Sequence, residues 1–433
     1  DSGLYKIKND TVSLVKQIIS YYYSNGAIII YNGYIYFSGY DSLSGAELWR
    51  SDGTTAGTQL FYDFTPGPYN SLDDFRPILA VQNNTLFITA DDSVHGPEIW
   101  VSDGTVPGTN RLNLANTIAP KYFERTLSIN NKLIINATDS IGTYHLWTSD
   151  GTSGGTSLLI SDTNYNYGIS AKEIIYNGYL YILVQQKPLA IPDLYALLKT
   201  DGTAAGTSIV KNNLNKHIVA TLTVLNDDFY FIAPDTSNVD HICKADTNLN
   251  FQLTYQFDSL YKATTLTITA FKNKLFFNAV HPAADDELWV SDGTAPGTSL
   301  LFDINTNGAT SISSCACMNS HLYFEAKDET RGTQLWKSNG HLTGTNPFGH
   351  FYHTTSTNVI FLNPEIFSLK NKLYFAGPDK TLWNTDGTVT NTKAVNGNIN
   401  SWMEIHTDGN NIYYRPNLNN EIWKFDPTTT VSN

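Results

Sequence analysis

The stretch that decides the fold is Glu47-Leu48-Trp49-Arg50-Ser51-Asp52-Gly53-Thr54-Thr55-Ala56-Gly57-Thr58, since versions of it recur along the whole chain. Eight further copies follow the same frame, and from the clearest to the most degraded they cover residues 98–109, 287–298, 145–156, 196–207, 334–345, 381–392, 241–248 and 421–428. Self-similarity at a fixed period is the signature of a repeat architecture, so the motif predicts one structural unit per copy.

The spacing of the copies gives the size of that unit. The position of the motif aspartate is held in successive copies by Asp52, Asp103, Asp150, Asp201, Asp246, Asp292, Asn339, Asp386 and Asp426. Neighbours in this series are 40 to 51 residues apart. One blade of a β-propeller, made of four strands, has this length.

Each repeat also carries an aromatic-rich run after an Asn-rich turn. In the first repeat Asn32-Gly33 precedes Tyr34-Ile35-Tyr36-Phe37. Asn and Gly accept the positive φ that tight hairpin turns need, and the alternation that follows is typical of a half-buried strand. A repeat is therefore predicted to hold four strands: one after Gly-Thr, two joined by this hairpin, and a fourth containing Glu-Leu-Trp.

These units predict an all-β fold. Aromatic residues make up 13% of the chain and charged residues 15%, a balance that suits many short strands. A small sheet with two apolar faces needs a neighbour on each side, and radial stacking supplies both. The prediction is a single closed β-propeller domain over residues 1–433, with nine four-stranded antiparallel blades. Eight blades plus an extra hairpin is the alternative.

The two chain ends favour closure of that ring. Residues 3–10 resemble a degraded Glu-Leu-Trp strand with its turn, and residues 12–19 sit where a first strand belongs. The C-terminus stops soon after its own Glu-Ile-Trp strand at Trp423. Pairing of the N- and C-terminal strands would remove two open sheet edges, which otherwise invite aggregation.

The motif resembles the ELWxxDGT repeat family. Residues 91–105, which read DDSVHGPEIWVSDGT, are similar to its consensus almost throughout, and the resemblance covers essentially the whole chain. It implies a secreted or cell-surface bacterial protein with a role in adhesion or surface architecture, and it supplies no catalytic residues. Leu198 and Cys243 at the Trp position, and Asn339 at the Asp position, depart from the pattern.

Charge and hydropathy exclude some classes of partner. The net charge of −13, without a run of Lys or Arg, disfavours nucleic acid and anionic membrane surfaces. No stretch approaches the ~18 consecutive apolar residues of a membrane-spanning helix, so no membrane insertion is expected. The chain begins at Asp1 without Met, and the predicted location is extracellular or at the cell surface, after removal of a signal peptide.

The motif residues are predicted to be structural. Tryptophans that pack between blades, rather than stack on carbohydrate, are expected at Trp49, Trp100, Trp147, Trp289, Trp336, Trp383 and Trp423. Aspartates that accept backbone N–H bonds within a turn are expected at Asp52, Asp103, Asp150, Asp201, Asp292 and Asp386. Calcium held by a ring of these acidic turns is the alternative, but no Asp-x-Asp-x-Asp-Gly loop is present, so no cofactor is predicted.

Other polar residues give weaker signals. Glutamates recur at the start of the Glu-Leu-Trp strand as Glu47, Glu98, Glu287 and Glu421, where they form either an inward acidic ring or solvated and cross-strand pairs. The three Cys and ten His show no convincing metal-ligand spacing, so no metal site is predicted. The segments that vary between repeats, residues 64–75, 185–193 and 348–363, are candidate contact surfaces.

A chain made almost wholly of scaffold repeats predicts a non-catalytic protein. The leading hypothesis is an extracellular or cell-surface binding or structural scaffold, adhesin-like or part of a surface assembly, with a protein or glycan partner. Self-association into a filament or array is a variant of it. The alternative is a polysaccharide hydrolase or lyase that uses carboxylates at the mouth of the central channel. Two or three carboxylates close together, one with a shifted pKa, would favour that alternative.

Overall fold

The chain forms two compact units, residues 1–213 with 403–433 and residues 214–402. That residues 1–433 make one domain stays a prediction. The structure is a computed structural model, and it describes residues 4–8, 11–16, 18, 28–72, 79–112, 122–138, 143–160, 164–167, 173–187, 194–215, 223–234, 240–245, 251–256, 268–281, 285–306, 308, 310, 312, 315–329, 332–349, 366–376, 381–398, 404–407, 412–415 and 423–425.

Strands of the first unit fall into six antiparallel sheets. The two-stranded sheet is β1 (Leu4–Lys8) and β2 (Thr11–Lys16). The next two are β3 (Ile28–Tyr31), β4 (Tyr34–Asp41), β5 (Gly45–Ser51), β6 (Gln59–Tyr62) and β7 (Leu79–Gln82), β8 (Thr85–Asp91), β9 (Pro97–Ser102), β10 (Asn110–Arg111). They are followed by β11 (Tyr122–Ile129), β12 (Lys132–Thr138), β13 (Tyr144–Ser149), β14 (Ser157–Ile160) and by the five strands β15 (Tyr165–Asn166), β16 (Ile174–Tyr176), β17 (Tyr179–Gln186), β18 (Leu194–Thr200), β19 (Ser208–Asn215). The C-terminal sheet is β36 (Glu404–Thr407), β37 (Ile412–Arg415) and β38 (Trp423–Phe425).

The second unit repeats the same four-stranded sheet four times. Its first two sheets are β20 (Thr223–Leu225), β21 (Asp228–Pro234), β22 (Asp240–Ala245), β23 (Phe251–Gln256) and β24 (Ile268–Phe271), β25 (Lys274–His281), β26 (Asp285–Ser291), β27 (Ser299–Phe302). The others are β28 (Cys315–Met318), β29 (His321–Asp328), β30 (Gly332–Ser338), β31 (Thr345–Pro347) and β32 (Phe367–Leu369), β33 (Lys372–Ala376), β34 (Thr381–Thr385), β35 (Lys393–Asn398). A single 3-10 turn, Leu342–Gly344, precedes β31.

Eight sheets of four or five antiparallel strands confirm the all-β class and are consistent with a β-propeller-like fold. One detail of the predicted repeat is wrong. The strand after Gly-Thr pairs with the Glu-Leu-Trp strand of its own repeat, as Trp49 opposite Leu60 and Trp289 opposite Leu300 show, so it ends that sheet rather than beginning the next. The reason is local: the Asp-Gly-Thr turn reverses the chain tightly and brings the two strands together.

The hairpin between the second and third strands is set by its Asn-rich turn. Asn83 and Asn84, the two central residues between β7 and β8, have φ of 48° and 54°. Positive φ at both positions matches the twist of the flanking strands, which is why Asn recurs in these turns.

Most of the motif tryptophans that the structure describes lie where neighbouring sheets of a unit pack together. Trp100 of β9 contacts Tyr62 and Phe64 of the preceding repeat, with ring centroids 5.8 and 4.9 Å away. Trp383 is half-buried, and the side chain of Trp423 lies outside the described residues. The tryptophans that are at most 9% exposed are Trp49, Trp100, Trp147, Trp289 and Trp336.

The departures from the motif leave this packing intact. Leu198 takes the Trp position of β18 and is fully buried in the cluster between that sheet and the sheet of β11 to β14. Cys243 at the same position of β22 is also buried. An apolar side chain of smaller volume therefore serves at these two positions.

The two chain ends meet within the first unit. Strand β1 lies beside β38, while the backbone ladders of the described residues join β1 only to β2 and β38 only to β37. The structure thus brings the predicted partners together without showing the predicted pairing between them.

Candidate functional site

Each complete Asp-Gly-Thr element is a hydrogen-bonded turn between two strands. Oδ1 of Asp103 accepts bonds from the N–H and the hydroxyl of Thr105, at 2.8 and 2.7 Å, and the hydroxyls of Ser102 and Thr109 are 2.7 Å apart. These hydrogen bonds hold the pKa of Asp103 below its usual range. The same pair of bonds is made by Asp52, Asp150, Asp201, Asp292 and Asp386.

One oxygen of every such aspartate is therefore engaged in its own turn. Among the residues that the structure describes, no three His, Cys, Asp or Glu side chains form a group that could hold a metal ion. None of the three cysteines forms a disulfide bond.

The recurring glutamate of the motif is a different case. Glu47, in β5, is fully buried, and its Oε2 accepts hydrogen bonds from the N–H of Phe64, at 3.0 Å, and from the hydroxyl of Ser71. Its Oε1 is buried and has no hydrogen-bond partner among the described residues. A buried carboxylate oxygen without a donor is costly, so this oxygen favours a bound proton.

Burial accordingly raises the pKa of Glu47 to about 8, against the opposing effect of the bonds from Ser71 and Phe64, and the negative charge of Asp63 raises it further. The side chain is therefore mostly protonated at neutral pH. A proton on Oε1 leaves both contacts of Oε2 in place. We call this group, with the nearby Asp41 and Asp63, site one.

The loop over Glu47 connects two sheets. The N–H of Ser71 donates to the carbonyl of Ala46 in β5, at 3.1 Å, and the carbonyl of Ser71 accepts from Asp91 in β8, at 3.0 Å. Thr65 also donates its hydroxyl to the carbonyl of Asp91, at 2.9 Å. The loop is thus tied to β5 beneath it and to the hairpin of the next sheet.

Asp41 and Asp63 are half-buried residues of site one, and Oδ1 of Asp63 is buried without a hydrogen-bond partner among the described residues. Asp63 directly follows the strand β6, and its pKa is raised by burial and by the charge of Asp41. Asp41 ends β4, and although burial alone would raise its pKa, donors from Ser44 and Leu43 hold that pKa below the usual range. Oδ1 of Asp41 accepts from the N–H and hydroxyl of Ser44, at 2.7 and 2.8 Å, and from the N–H of Leu43, at 2.9 Å. Lys16 lowers the pKa of Asp41 further.

The second unit holds a partial copy, which we call site two. Glu287 of β26 is fully buried, its Oε2 accepts from the N–H of Ile304 at 2.8 Å, and its Oε1 has no partner among the described residues. Burial and the charge of Asp303 raise its pKa to about 7. Thr310 takes the place of Ser71: its N–H donates to the carbonyl of Asp286, at 2.8 Å, and its carbonyl accepts from Lys327, at 2.7 Å.

The other two motif glutamates differ. Glu98 lies 3.5 Å from Arg111, a cross-strand ion pair between β9 and β10. Glu421 lies outside the described residues. The predicted cross-strand pairing therefore describes Glu98. Glu47 and Glu287 form neither an inward acidic ring nor solvated or cross-strand pairs, because they are buried under loops.

The sequence signal that distinguishes Glu47 and Glu287 is the spacing between each motif glutamate and an aspartate that follows it. Asp63 follows Glu47 by 16 residues, and Asp303 follows Glu287 by the same number. An alignment of the repeats on the motif glutamate would have shown this shared pair.

One string of residues in the third repeat matches a motif of serine hydrolases. Residues 151–155, Gly-Thr-Ser-Gly-Gly, match the Gly-x-Ser-x-Gly string of serine hydrolases. That motif requires a sharp strand-to-helix turn, whereas Ser153 lies in the exposed turn between the strands β13 and β14. The string therefore does not form a nucleophile elbow.

Several solved structures match this chain at low identity. The chain is similar to a puromycin hydrolase (11% identity, TM-score 0.40, covering 83% of this chain and 57% of that one). It is similar to a prolyl endopeptidase (10% identity, TM-score 0.44, covering 78% and 53%). It also resembles prolyl oligopeptidase B from Galerina marginata (11% identity, TM-score 0.41, covering 83% and 53%). The chain thus spans little more than half the length of these solved chains. No family model and no curated protein matches it.

These matches correct two predictions. The expectation of a non-catalytic scaffold, and of no enzyme activity, is wrong, since the solved structures that resemble the chain are hydrolases and peptidases. At these identities and TM-scores neither the fold nor the reactions of those proteins are transferred to this chain. The resemblance to the ELWxxDGT family, the extracellular location and the choice of partners stay predictions. The described residues contain no helix of the length and apolar character that spanning a bilayer requires.

Proposed function

We propose that this chain is a hydrolase that cleaves polysaccharide by acid–base chemistry at Asp41 and Asp63. The observation that carries the proposal is a pair of half-buried carboxylates, Asp41 and Asp63, whose pKa values are shifted in opposite directions beside the fully buried Glu47. Environments that separate the pKa values of two neighbouring carboxyl groups assign the acid and the base. Hydrolysis of a glycosidic bond uses one of each.

The roles follow from the shifts. Asp63, with the raised pKa, donates its proton to the glycosidic oxygen as the bond to the anomeric carbon breaks. Asp41, held ionised by its donors, either takes a proton from the attacking water or attacks the anomeric carbon itself. In the first route the oxygen of water bonds to the anomeric carbon, and the proton taken up by Asp41 returns to Asp63 through solvent. In the second route water, deprotonated by Asp63, hydrolyses the ester between Asp41 and the sugar, which restores both carboxyl groups.

Glu47 is a positioning residue in this scheme. It is fully buried and reaches no substrate, but it fixes the loop that carries Asp63 and remains neutral beside it. With Glu47 neutral and Asp63 protonated, Asp41 is the ionised carboxylate of site one. Site two lacks this arrangement because His281 occupies the sequence position, six residues before the glutamate, that Asp41 occupies in site one.

The test is an assay of the purified chain on soluble polysaccharides of neutral and acidic sugars, with casein as a peptide substrate. Release of reducing ends by the wild type, its loss in Asp41→Asn and Asp63→Asn, and its retention in Asp303→Asn support the proposal. Release that persists in both site-one variants contradicts it, and cleavage of casein alone overturns the choice of substrate.

We also propose that the nine sequence repeats close into a single ring, with β1 joining the sheet of β38. The position of β1 beside β38 supports this closure, as does the removal of two sheet edges. Deletion of residues 1–16 is then expected to lower the midpoint of thermal unfolding and to promote aggregation. An unchanged midpoint would show that the ends are not joined.

A further inference from the structure

The loop of site one presents an aromatic ring to solvent. Tyr69 is 63% exposed, whereas most aromatic side chains that the structure describes are buried in the contacts between sheets. An exposed tyrosine ring offers a large apolar area to a ligand.

The backbone around Tyr69 is fixed at several points. Gly45, with φ of 71°, packs against the carbonyl group of Tyr69 so closely that a Cβ there would overlap it. The side chain of Asn70 accepts a hydrogen bond from the N–H of Ala46, at 2.8 Å, and Ser71 is bonded to Glu47. The ring itself lies near Gly67. Tyr69 is thus an exposed side chain on an anchored backbone, which lowers the entropy that a ligand must remove on binding.

Tyr69 also lies beside the proposed catalytic pair. Asp41 is directly opposite Gly45 in the ladder of β4 and β5, and Gly45 is the residue against which Tyr69 packs. The backbone of Gly67 donates to Asp63, so the same short loop holds both the carboxyl group and the ring. Leu43, at the tip of the β4–β5 hairpin, is 83% exposed and adds apolar surface on that side.

We propose that Tyr69 is the platform on which a pyranose ring of a polysaccharide stacks, so that the adjoining glycosidic bond reaches Asp41 and Asp63. The proposal rests on the proposed function and specifies its substrate-binding subsite. The apolar C–H face of a pyranose packs on the negative face of an aromatic ring, and this contact needs the ring but not its hydroxyl. A ligand that enters by stacking needs no deep cavity.

The experiment compares Tyr69→Ala and Tyr69→Phe with the wild type and with Ile175→Ala, a control at a residue that is 60% exposed. Binding to soluble polysaccharides is measured by affinity electrophoresis and calorimetry, and KM and kcat by reducing-end release. We expect Tyr69→Ala to weaken binding and raise KM about tenfold, the effect of about 1.4 kcal/mol. The Phe variant and the control should stay within about twofold of the wild type.

Separate outcomes distinguish this proposal from the one on which it rests. If Tyr69→Ala binds as the wild type does, or if the wild type binds no polysaccharide, the stacking platform is overturned. If Tyr69→Ala loses binding and Asp63→Asn still binds but no longer cleaves, both proposals stand. If Asp63→Asn cleaves normally while Tyr69→Ala has lost binding, the subsite stands and the catalytic assignment fails. Circular dichroism of each variant confirms that the fold is retained.

Discussion

Site one and site two share a glutamate but not a surface. In both, a fully buried Glu accepts the N–H of the residue 17 positions later and has an aspartate 16 positions later. Among the described residues, site one alone adds a second half-buried carboxylate, Asp41, and an exposed aromatic ring, Tyr69. The buried glutamate is therefore a structural feature that both sites share, and it helps to anchor the loop that leads to the next sheet. Catalysis is expected only at site one, where a second carboxylate and an aromatic ring lie near the glutamate.

The largest expected difference between the sites is in catalysis. Asp63→Asn should lower kcat by about 10²- to 10⁴-fold, the usual contribution of a general acid, while Asp303→Asn should leave kcat unchanged. The profile of kcat/KM against pH checks the assignment. Its alkaline limb should report Asp63, whose pKa is raised, and its acidic limb Asp41, whose pKa is lowered.

The profile of kcat/KM against pH, measured on Asp63→Asn, is the control for this assignment. In any residual activity of Asp63→Asn the alkaline limb should be missing and the acidic limb kept. A variant that keeps both limbs would show that another group is the acid. Equal losses in Asp63→Asn and Asp303→Asn would show that the two sites do not differ as proposed.

The next effect is on the pH dependence of stability. The pKa of Glu47 is about 8 in the folded chain and 4.5 when exposed, so the folded state binds more protons between these values. The stability that this proton contributes is fully present below pH 4.5 and is lost as the pH rises through 8, with a slope of at most about 1.4 kcal/mol per pH unit. For Glu287 the corresponding window ends at about 7.

Urea unfolding at pH 5, 6, 7, 8 and 9 tests this difference. In Glu47→Gln the free energy of unfolding should lose its decline between pH 7 and 8, because Gln does not ionise. In Glu287→Gln the decline should be reduced below pH 7 and kept above it. A slope that is unchanged in Glu47→Gln would mean that the side chain is ionised in the folded protein.

Much of the fold could be predicted from the sequence, because the repeat fixes it locally. Trp100 and Asp103 recur in the motif, and each acts within its own repeat or against the adjacent one. The assignment of each strand to its sheet could not be predicted as readily. Whether the strand after Thr58 joins the sheet before it or after it depends on which strand it pairs with, and an apolar-polar pattern does not carry that information.

The candidate site could be predicted only in part. The variation of segment 64–75 between repeats places Tyr69 within a candidate contact surface, and the recurrence of Glu47 is visible in the motif. The interpretation of Glu47 was wrong because burial depends on the loop that covers it, and nothing near the motif indicates that loop. The pKa shifts of Asp41 and Asp63 arise from neighbours distant in sequence, so they needed coordinates.

The smallest expected effect concerns how site one holds its aromatic ring. Gly45 and Gly332 occupy the same motif position, and both have positive φ, 71° and 76°. A Cβ at Gly332 would meet open space, whereas at Gly45 it would overlap the carbonyl oxygen of Tyr69. Gly332→Ala should therefore cost only the backbone strain, about 1 kcal/mol, and Gly45→Ala about 1–2 kcal/mol more. Because Gly45→Ala also displaces Tyr69, it should raise KM for polysaccharide, and Gly332→Ala should not. The test is to measure thermal unfolding and KM for both variants. Equal losses of stability and equal KM values for Gly45→Ala and Gly332→Ala would mean that Gly45 does not position the loop.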